Sequence, residues 1–109
     1  MVAAGAPVVD DAFGVIANPI RRVLIERLAS GEQRVTDLAA LVPVSRPAVS
    51  QHLRLMLDVG IVSERREGRA RYYALRREQL GDVSRWLDRL DRFWADNLDR
   101  LGAHLEVSQ

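Results

Sequence analysis

The chain contains no cysteine, which removes disulfides, thiolate metal sites and cysteine nucleophiles from its chemistry at once. Lysine is missing too: all sixteen basic residues are arginine, a bias that carries no functional weight by itself. Aromatic residues are only 6% of the total. No run approaches the ~18 apolar residues of a membrane span. The opening MVAAGAPVVDDAF lacks the basic n-region of a signal peptide, so a cytoplasmic protein without membrane partners is expected. Two histidines and no cysteine cannot assemble a nucleophile, base and orienter, and an enzyme is the reading with least support. Repeats and low-complexity segments are absent. With 48% apolar residues, 109 residues suffice for one modest core, and a single domain over residues 1–109 is expected.

What is present concentrates in residues 36–60, TDLAALVPVSRPAVSQHLRLMLDVG. Leu38, Ala39, Leu41 and Val42 predict a short helix with Thr36 as its N-cap. Pro43 pushes Val42 out of the α region and ends it, leaving a four-residue break from Val42 to Ser45. A second helix then starts with Ser45 as N-cap and Pro47 in the first turn, where a missing N–H costs nothing, and runs to Gly60. Along it Val49, Leu53, Met56 and Leu57 form one buried stripe. The opposite face carries Ser45, Arg46, Ser50, Gln51 and Arg54, with no carboxylate before Asp58. Hydroxyls, an amide and guanidiniums are the groups that hydrogen-bond base edges and phosphates. This is a helix-turn-helix pattern.

Downstream, two strands are expected, Ile61 to Arg66 and Arg71 to Leu75, around a turn at Glu67-Gly68-Arg69-Ala70. Alternation places Tyr73 and Leu75 on the face opposite Tyr72 and Ala74, so one set can pack on the helices. Arg65, Arg66, Arg69 and Arg71 crowd the tip, where arginine suits phosphate contact or a narrow minor groove. Residues 45–77 hold eight arginines against three acids, a net +5, while residues 1–44 carry −1 and residues 78–109 carry −3. The nearly neutral chain therefore has one basic face able to focus its field on a polyanion.

The flanks are simpler. Residues 1–9 are expected to be loose, followed by a helix from Asp10 to Ala17 with Phe13 and Ile16 as its apolar pair. A second helix should run from Pro19 to Ala29, with Ile20, Val23, Leu24 and Leu28 inward and Gly31 ending it. Gln33 to Val35 is a candidate strand that pairs with the hairpin. Residues 76–107 predict one long terminal helix, too long to be covered by so small a core. Its apolar positions Leu80, Val83, Leu87, Leu90, Trp94, Leu98, Leu101 and Leu105 fall on a near-heptad stripe widened by Trp86 and Phe93. Pairing with a second copy, joined by Phe13 and Ile16, would cover it.

The stretch ANPIRRVLIERLASGEQRVTDLAALVPVSRPAVSQHLRLMLDVGIVSERREGRARYYAL resembles the ArsR/SmtB family of bacterial winged-helix repressors. The resemblance rests on N-P-x-R-R at Asn18 to Arg22, the helix-turn-helix SRPAVSQHLRLML, the Gly60-Ile61-Val62 junction and an arginine-rich hairpin ending in Tyr-Tyr-x-Leu. It extends from about Phe13 to the end, and Arg92-Phe93-Trp94 with Leu98 resembles the branch without metal ligands. The implied fold is mainly α with a small β-hairpin, a winged helix-turn-helix of four helices, two strands and a fifth helix. The resemblance also implies a homodimer joined by terminal helices, bound reversibly to double-stranded DNA at an imperfect palindrome in a promoter. Metal-sensing members place Cys ligands in the first helix of the motif or Asp/His pairs on the last. Here Val35-Thr36-Asp37-Leu38 has no thiol, and His104 with Glu106 two residues on does not converge on a helix. No metal and no cofactor is expected.

In this reading Ser45, Arg46, Ser50 and Gln51 face base edges, Gln51 being the most discriminating because its amide can pair with adenine N6 and N7 together. Pro47 sets the helix start near the phosphates, and Arg54, Arg65, Arg66, Arg69 and Arg71 contact the backbone or minor groove. The role of His52 stays open. Two alternatives remain: a repressor gated by an apolar effector at the dimer interface, and a winged-helix module that docks an acidic protein.

Overall fold

The computed structural model describes the backbone of residues 11–108 and the side chains of residues 11–100. The expected loose segment 1–9, Asp10 as a helix start, and the side chains of Leu101, His104, Leu105 and Glu106 lie outside the described residues. Helix α1 (Ala12–Ile16) begins at Asp11, whose carboxylate accepts from the Gly14 N–H at 3.0 Å. It buries Ala12 and Val15 in the domain's core and leaves Phe13 exposed and Ile16 half-buried. Asn18 Oδ1 then accepts from both the Ile20 and Arg21 N–H groups, at 2.8 and 3.2 Å, and Pro19 opens α2 (Pro19–Leu28).

The inward face of α2 is Arg21, Leu24 and Leu28, spaced i, i+3 and i+7. Val23, expected inside, is exposed because it sits about 100° around the helix from Leu24. Strand β1 is only Gln33–Arg34, and Val35 opens α3 (Val35–Ala39) instead of ending the strand. Val35 is buried against the core, and the chain turns into helix two residues earlier than expected. The N-cap position therefore falls to Arg34, without a side-chain cap, and the expected cap Thr36 lies inside the first turn. Leu41 and Val42 follow after the end of α3, where Val42 is buried and Leu41 exposed.

Helix α4 (Arg46–Val59) follows the pattern of its caps. Ser45 Oγ accepts from the Ala48 N–H at 3.3 Å, with Pro47 in the first turn. At the other end Gly60 takes φ +89°, a backbone only glycine adopts without strain. Ile61 N–H donates to Met56 O at 2.9 Å and Gly60 N–H to Leu57 O at 3.0 Å, the paired bonds of a Schellman motif, with Ile61 and Met56 both buried. Val49, Leu53 and Met56 have no exposed surface, and Leu57 is half-buried.

Strands β2 (Val62–Glu67) and β3 (Ala70–Leu75) pair antiparallel from Val62↔Leu75 to Glu67↔Ala70. The turn is tighter than expected, with two central residues, Gly68 and Arg69. Gly68 has φ +61° and Arg69 does not share that sign, the pattern of a type II′ turn that suits strand twist. Gln33↔Tyr73 and Arg34↔Tyr72 add β1 to make a three-stranded sheet in the order β1-β3-β2. Tyr73 faces the core, whereas Tyr72 does not, as alternation requires.

The expected continuous helix from residue 76 is broken. A 3₁₀ turn at Arg77–Leu80 precedes α5 (Gly81–Ser108). Val83 is buried in the domain's own core and Leu80 packs against it, so Val83 has no surface left for a second copy. Phe13 meets Trp86 edge-on at 5.8 Å between ring centroids. Beyond the half-buried Leu90, every residue from 91 to 100 is exposed. The radius of gyration is 19.0 Å, against about 13 Å for a compact chain of this length. The difference is the projecting helix.

Leu53→Ala should destabilise the fold by about 2 to 5 kcal/mol through lost burial and a cavity, while Val23→Ala should stay within about 0.5 kcal/mol. Urea denaturation measures both. Comparable losses would mean that α2 presents a different face to the core.

Candidate nucleic-acid interface

With the stripe of α4 buried, its other face is turned outward. Arg46, Pro47, Gln51 and Arg54 are exposed and Ser50 is half-buried. Ser50, Gln51 and Arg54 line one wall of a cleft of about 840 Å³, and Glu64, Arg66 and Arg71 of the hairpin line the other. The helix face and the basic hairpin therefore share a single opening. Ser45 Oγ is tied to the helix start, which leaves its hydroxyl proton to donate outward. Arg54 pairs with Asp58 at 3.5 Å on open surface, an interaction worth little in water.

The four hairpin arginines divide in two. Arg65 forks onto Glu32 at 2.8 and 3.2 Å, donates to Glu67 at 2.7 Å and lies 4.5 Å over the Tyr72 ring. Its hydrogen bonds hold the Glu32 carboxyl below the usual carboxylate range, and the same bonds raise the guanidinium. Arg66 meets Glu64 at 3.2 Å. Glu64 also accepts from the Tyr73 hydroxyl at 2.7 Å, the main cause of its lowered carboxyl pKa. Burial, helped by that carboxylate, pushes the Tyr73 phenol up to about 12. Arg69 and Arg71, by contrast, make no ion pair among the described residues.

Behind α4 lies a buried guanidinium. Arg21 Nε donates to Val15 O at 2.9 Å and Nη2 to Gly14 O at 3.2 Å, while Nη1 reaches His52 Nδ1 at 3.1 Å. Arginine has only donors, so Nδ1 must accept and the neutral imidazole carries its proton on Nε2. Burial, then the Arg21 charge, lowers the His52 pKa.

The sequence profile of the bacterial regulatory protein, arsR family, matches residues 18–64, from the Asn18 cap into β2. Over 85 residues the chain is 44% identical to the HTH-type transcriptional regulator Rv2034 of Mycobacterium tuberculosis, a span of 78% of this chain and 77% of that protein. The chain belongs to the ArsR family. It is also 30% identical over 78 residues to the transcriptional repressor SdpR of Bacillus subtilis, across 72% of this chain and 87% of that one. A crystal structure described as a possible transcriptional regulator for arsenical resistance shares the fold at a TM-score of 0.68 and 47% identity, covering 88% of this chain and 96% of that chain. This ArsR-family protein is accordingly a DNA-binding transcriptional regulator with a winged helix-turn-helix fold, and not an enzyme.

Against the residues expected from sequence, the structure brings Ser50, Gln51, Arg54, Arg66 and Arg71 around one cleft. Arg46 and Arg69 fall on a second, smaller cleft beside it. Arg65 has its guanidinium committed to carboxylates on both sides. Sequence reasoning missed Arg21. The signal was available, because Arg21 falls on the same helical stripe as Leu24 and Leu28, a position where a charge must find partners.

Stability should follow the His52 proton. Its folded pKa lies below the ordinary 6.5, so beneath that pH the unfolded chain binds a proton the folded chain resists. Stability is then complete above about pH 6.5 and falls as pH drops through that value. Urea midpoints at about pH 5 and about pH 7.5 should differ less in His52→Gln than in the parent. An equal difference in both proteins would assign the acid sensitivity elsewhere.

Proposed function

We propose that this regulator is a homodimeric repressor that binds an imperfect palindrome in a promoter, inside the cytoplasm, and is released by a signal other than a thiolate-bound metal. The observation that carries the reading is the shared cleft, with an amide and a hydroxyl on the α4 wall and arginines on the hairpin wall. Base-edge recognition falls to Ser50 and Gln51, with Ser45 at the helix start; Arg46, on the smaller cleft with Arg69 and Arg71, is on the phosphate side. Phosphate contact falls to Arg54, Arg66, Arg69 and Arg71, which supply affinity and register rather than sequence choice. Arg65 braces the hairpin instead. Repressor action agrees with the name of the SdpR relative.

The dimer is supported by the uncovered α5 stripe. Trp86, Leu87, Phe93, Trp94 and Leu98 are exposed, Leu98 at 65%, on a helix whose side chains from residue 91 to 100 are all exposed among the described residues. A second copy related by a two-fold axis would cover this surface and present two reading helices about 34 to 36 Å apart, one turn of DNA. Leu80 and Val83 then anchor α5 to its own domain, and Leu87, Leu90, Trp94 and Leu98 form the contact between copies.

Soft metal and metalloid ions call for thiolates, and this chain has no cysteine. Among the described residues no three His, Asp or Glu side chains converge as ligands either.

Gln51→Ala should relax base preference at one position at a cost of roughly 1 to 3 kcal/mol in a binding-selection assay. Intact preference would mean that another face reads the DNA, and absence of duplex binding in the parent would favour an acidic protein partner. Trp94→Glu should convert the protein to a monomer in sedimentation velocity with its helical content unchanged. A Trp94→Glu dimer would overturn the α5 interface.

A further inference from the structure

Beside the reading cleft lies a smaller one of about 100 Å³, lined by Arg34 of β1, Thr36 of α3, Arg46 at the start of α4, and Arg69 and Arg71 of the hairpin. None of these arginines makes an ion pair or a side-chain hydrogen bond among the described residues. The hairpin and the β1 region hold carboxylates, yet those are taken: Glu32 and Glu67 by Arg65, and Glu64 by Arg66 and Tyr73. Four guanidiniums from three separate segments are thus gathered around one cavity with no anion among its lining residues. Like charges brought together repel, and no carboxylate lines this cavity to offset them.

We infer that Arg34, Arg46, Arg69 and Arg71 form a phosphate cradle that seats one backbone phosphodiester of the bound duplex. The guanidinium fork matches phosphate oxygens, and the Thr36 hydroxyl adds a further donor. Arg46 begins the reading helix, so a phosphate held here sets how deeply α4 enters the groove. The inference rests on the DNA-reading function proposed above and adds Arg34, a residue outside the helix-turn-helix and the hairpin, to the contact surface.

Arg34→Ala tests it, with Arg27→Ala as a control at an exposed arginine of α2 outside the cradle. Arg34→Ala should lower the slope of log affinity against log salt by about 0.9 and weaken specific and random duplexes by the same factor. Arg27→Ala should change neither. In parallel, inorganic phosphate should shift the side-chain Nε–H resonances of Arg34, Arg46, Arg69 and Arg71 together, leaving Arg65 in place. An unchanged slope in Arg34→Ala, with the parent binding duplex DNA, overturns the cradle and leaves the DNA-reading function standing. Phosphate shifts at the four arginines in a parent that does not bind duplex DNA would sustain the cradle as a site for a phosphorylated solute and overturn the operator reading.

Discussion

Burial of Val49, Leu53 and Met56 on one side of α4 fixes the rotation of that helix, and the functional surface depends on where its other side then points. The three residues recur at i, i+4 and i+7, so a turn of the helix by one residue would expose one of them and bury a polar neighbour. Losing a buried leucine or methionine costs a few kcal/mol, a large share of the stability of so small a domain. Ser45 at one end and Gly60 at the other fix where the helix begins and stops. Gln51 and Arg54 face outward because the buried stripe takes the opposite side.

The arginines show how one residue type is put to two uses. Arg65 sits between Glu32 and Glu67 on the ring of Tyr72, which ties the hairpin to the segment before β1. Each such pair on open surface contributes little alone, but a forked pair and a ring contact on one guanidinium hold its position. Arg69 and Arg71 stand a few residues away with no carboxylate partner among the described residues. A hairpin that must meet a polyanion in a defined position needs both kinds: charges that hold it in place and charges left over.

Wherever a single residue dictates backbone geometry, the fold was legible from sequence: Ser45 and Pro47 at the start of α4, Gly60 at its end, Gly68 at the hairpin tip. Alternation separated Tyr73 from Tyr72 for the same local reason, but which of the two faces is buried was settled only by packing. The failures fell where tertiary packing chose among local options. Thr36 is a good cap by composition, yet burying Val35 starts α3 ahead of it. Val23 is apolar, yet Arg21 holds the inward position because the α1 carbonyls lie there to receive it. Of the candidate site, the composition of the reading face could be read from the chain. The division of the hairpin arginines could not, since Glu32 lies 33 residues from Arg65 and only the folded sheet brings them together.

Arg21 also explains why α1, a helix of five residues, holds its place. So short a helix is unstable alone. Its Gly14 and Val15 carbonyls accept from a guanidinium whose remaining arm reaches His52 on the inner side of α4, and its Phe13 ring stands against Trp86 on α5. A buried donor that loses its acceptor costs about 1 to 3 kcal/mol, more when charged. Displacing α1 would break two such bonds on one guanidinium, so α1 is held to α2, and through His52 to α4, more firmly than its small apolar contact alone would allow. The same small helix touches the projecting α5 and, through Arg21, is tied to α4. Any rearrangement of α5 that drags Phe13 with Trp86 therefore pulls on the carbonyls that hold Arg21 against His52.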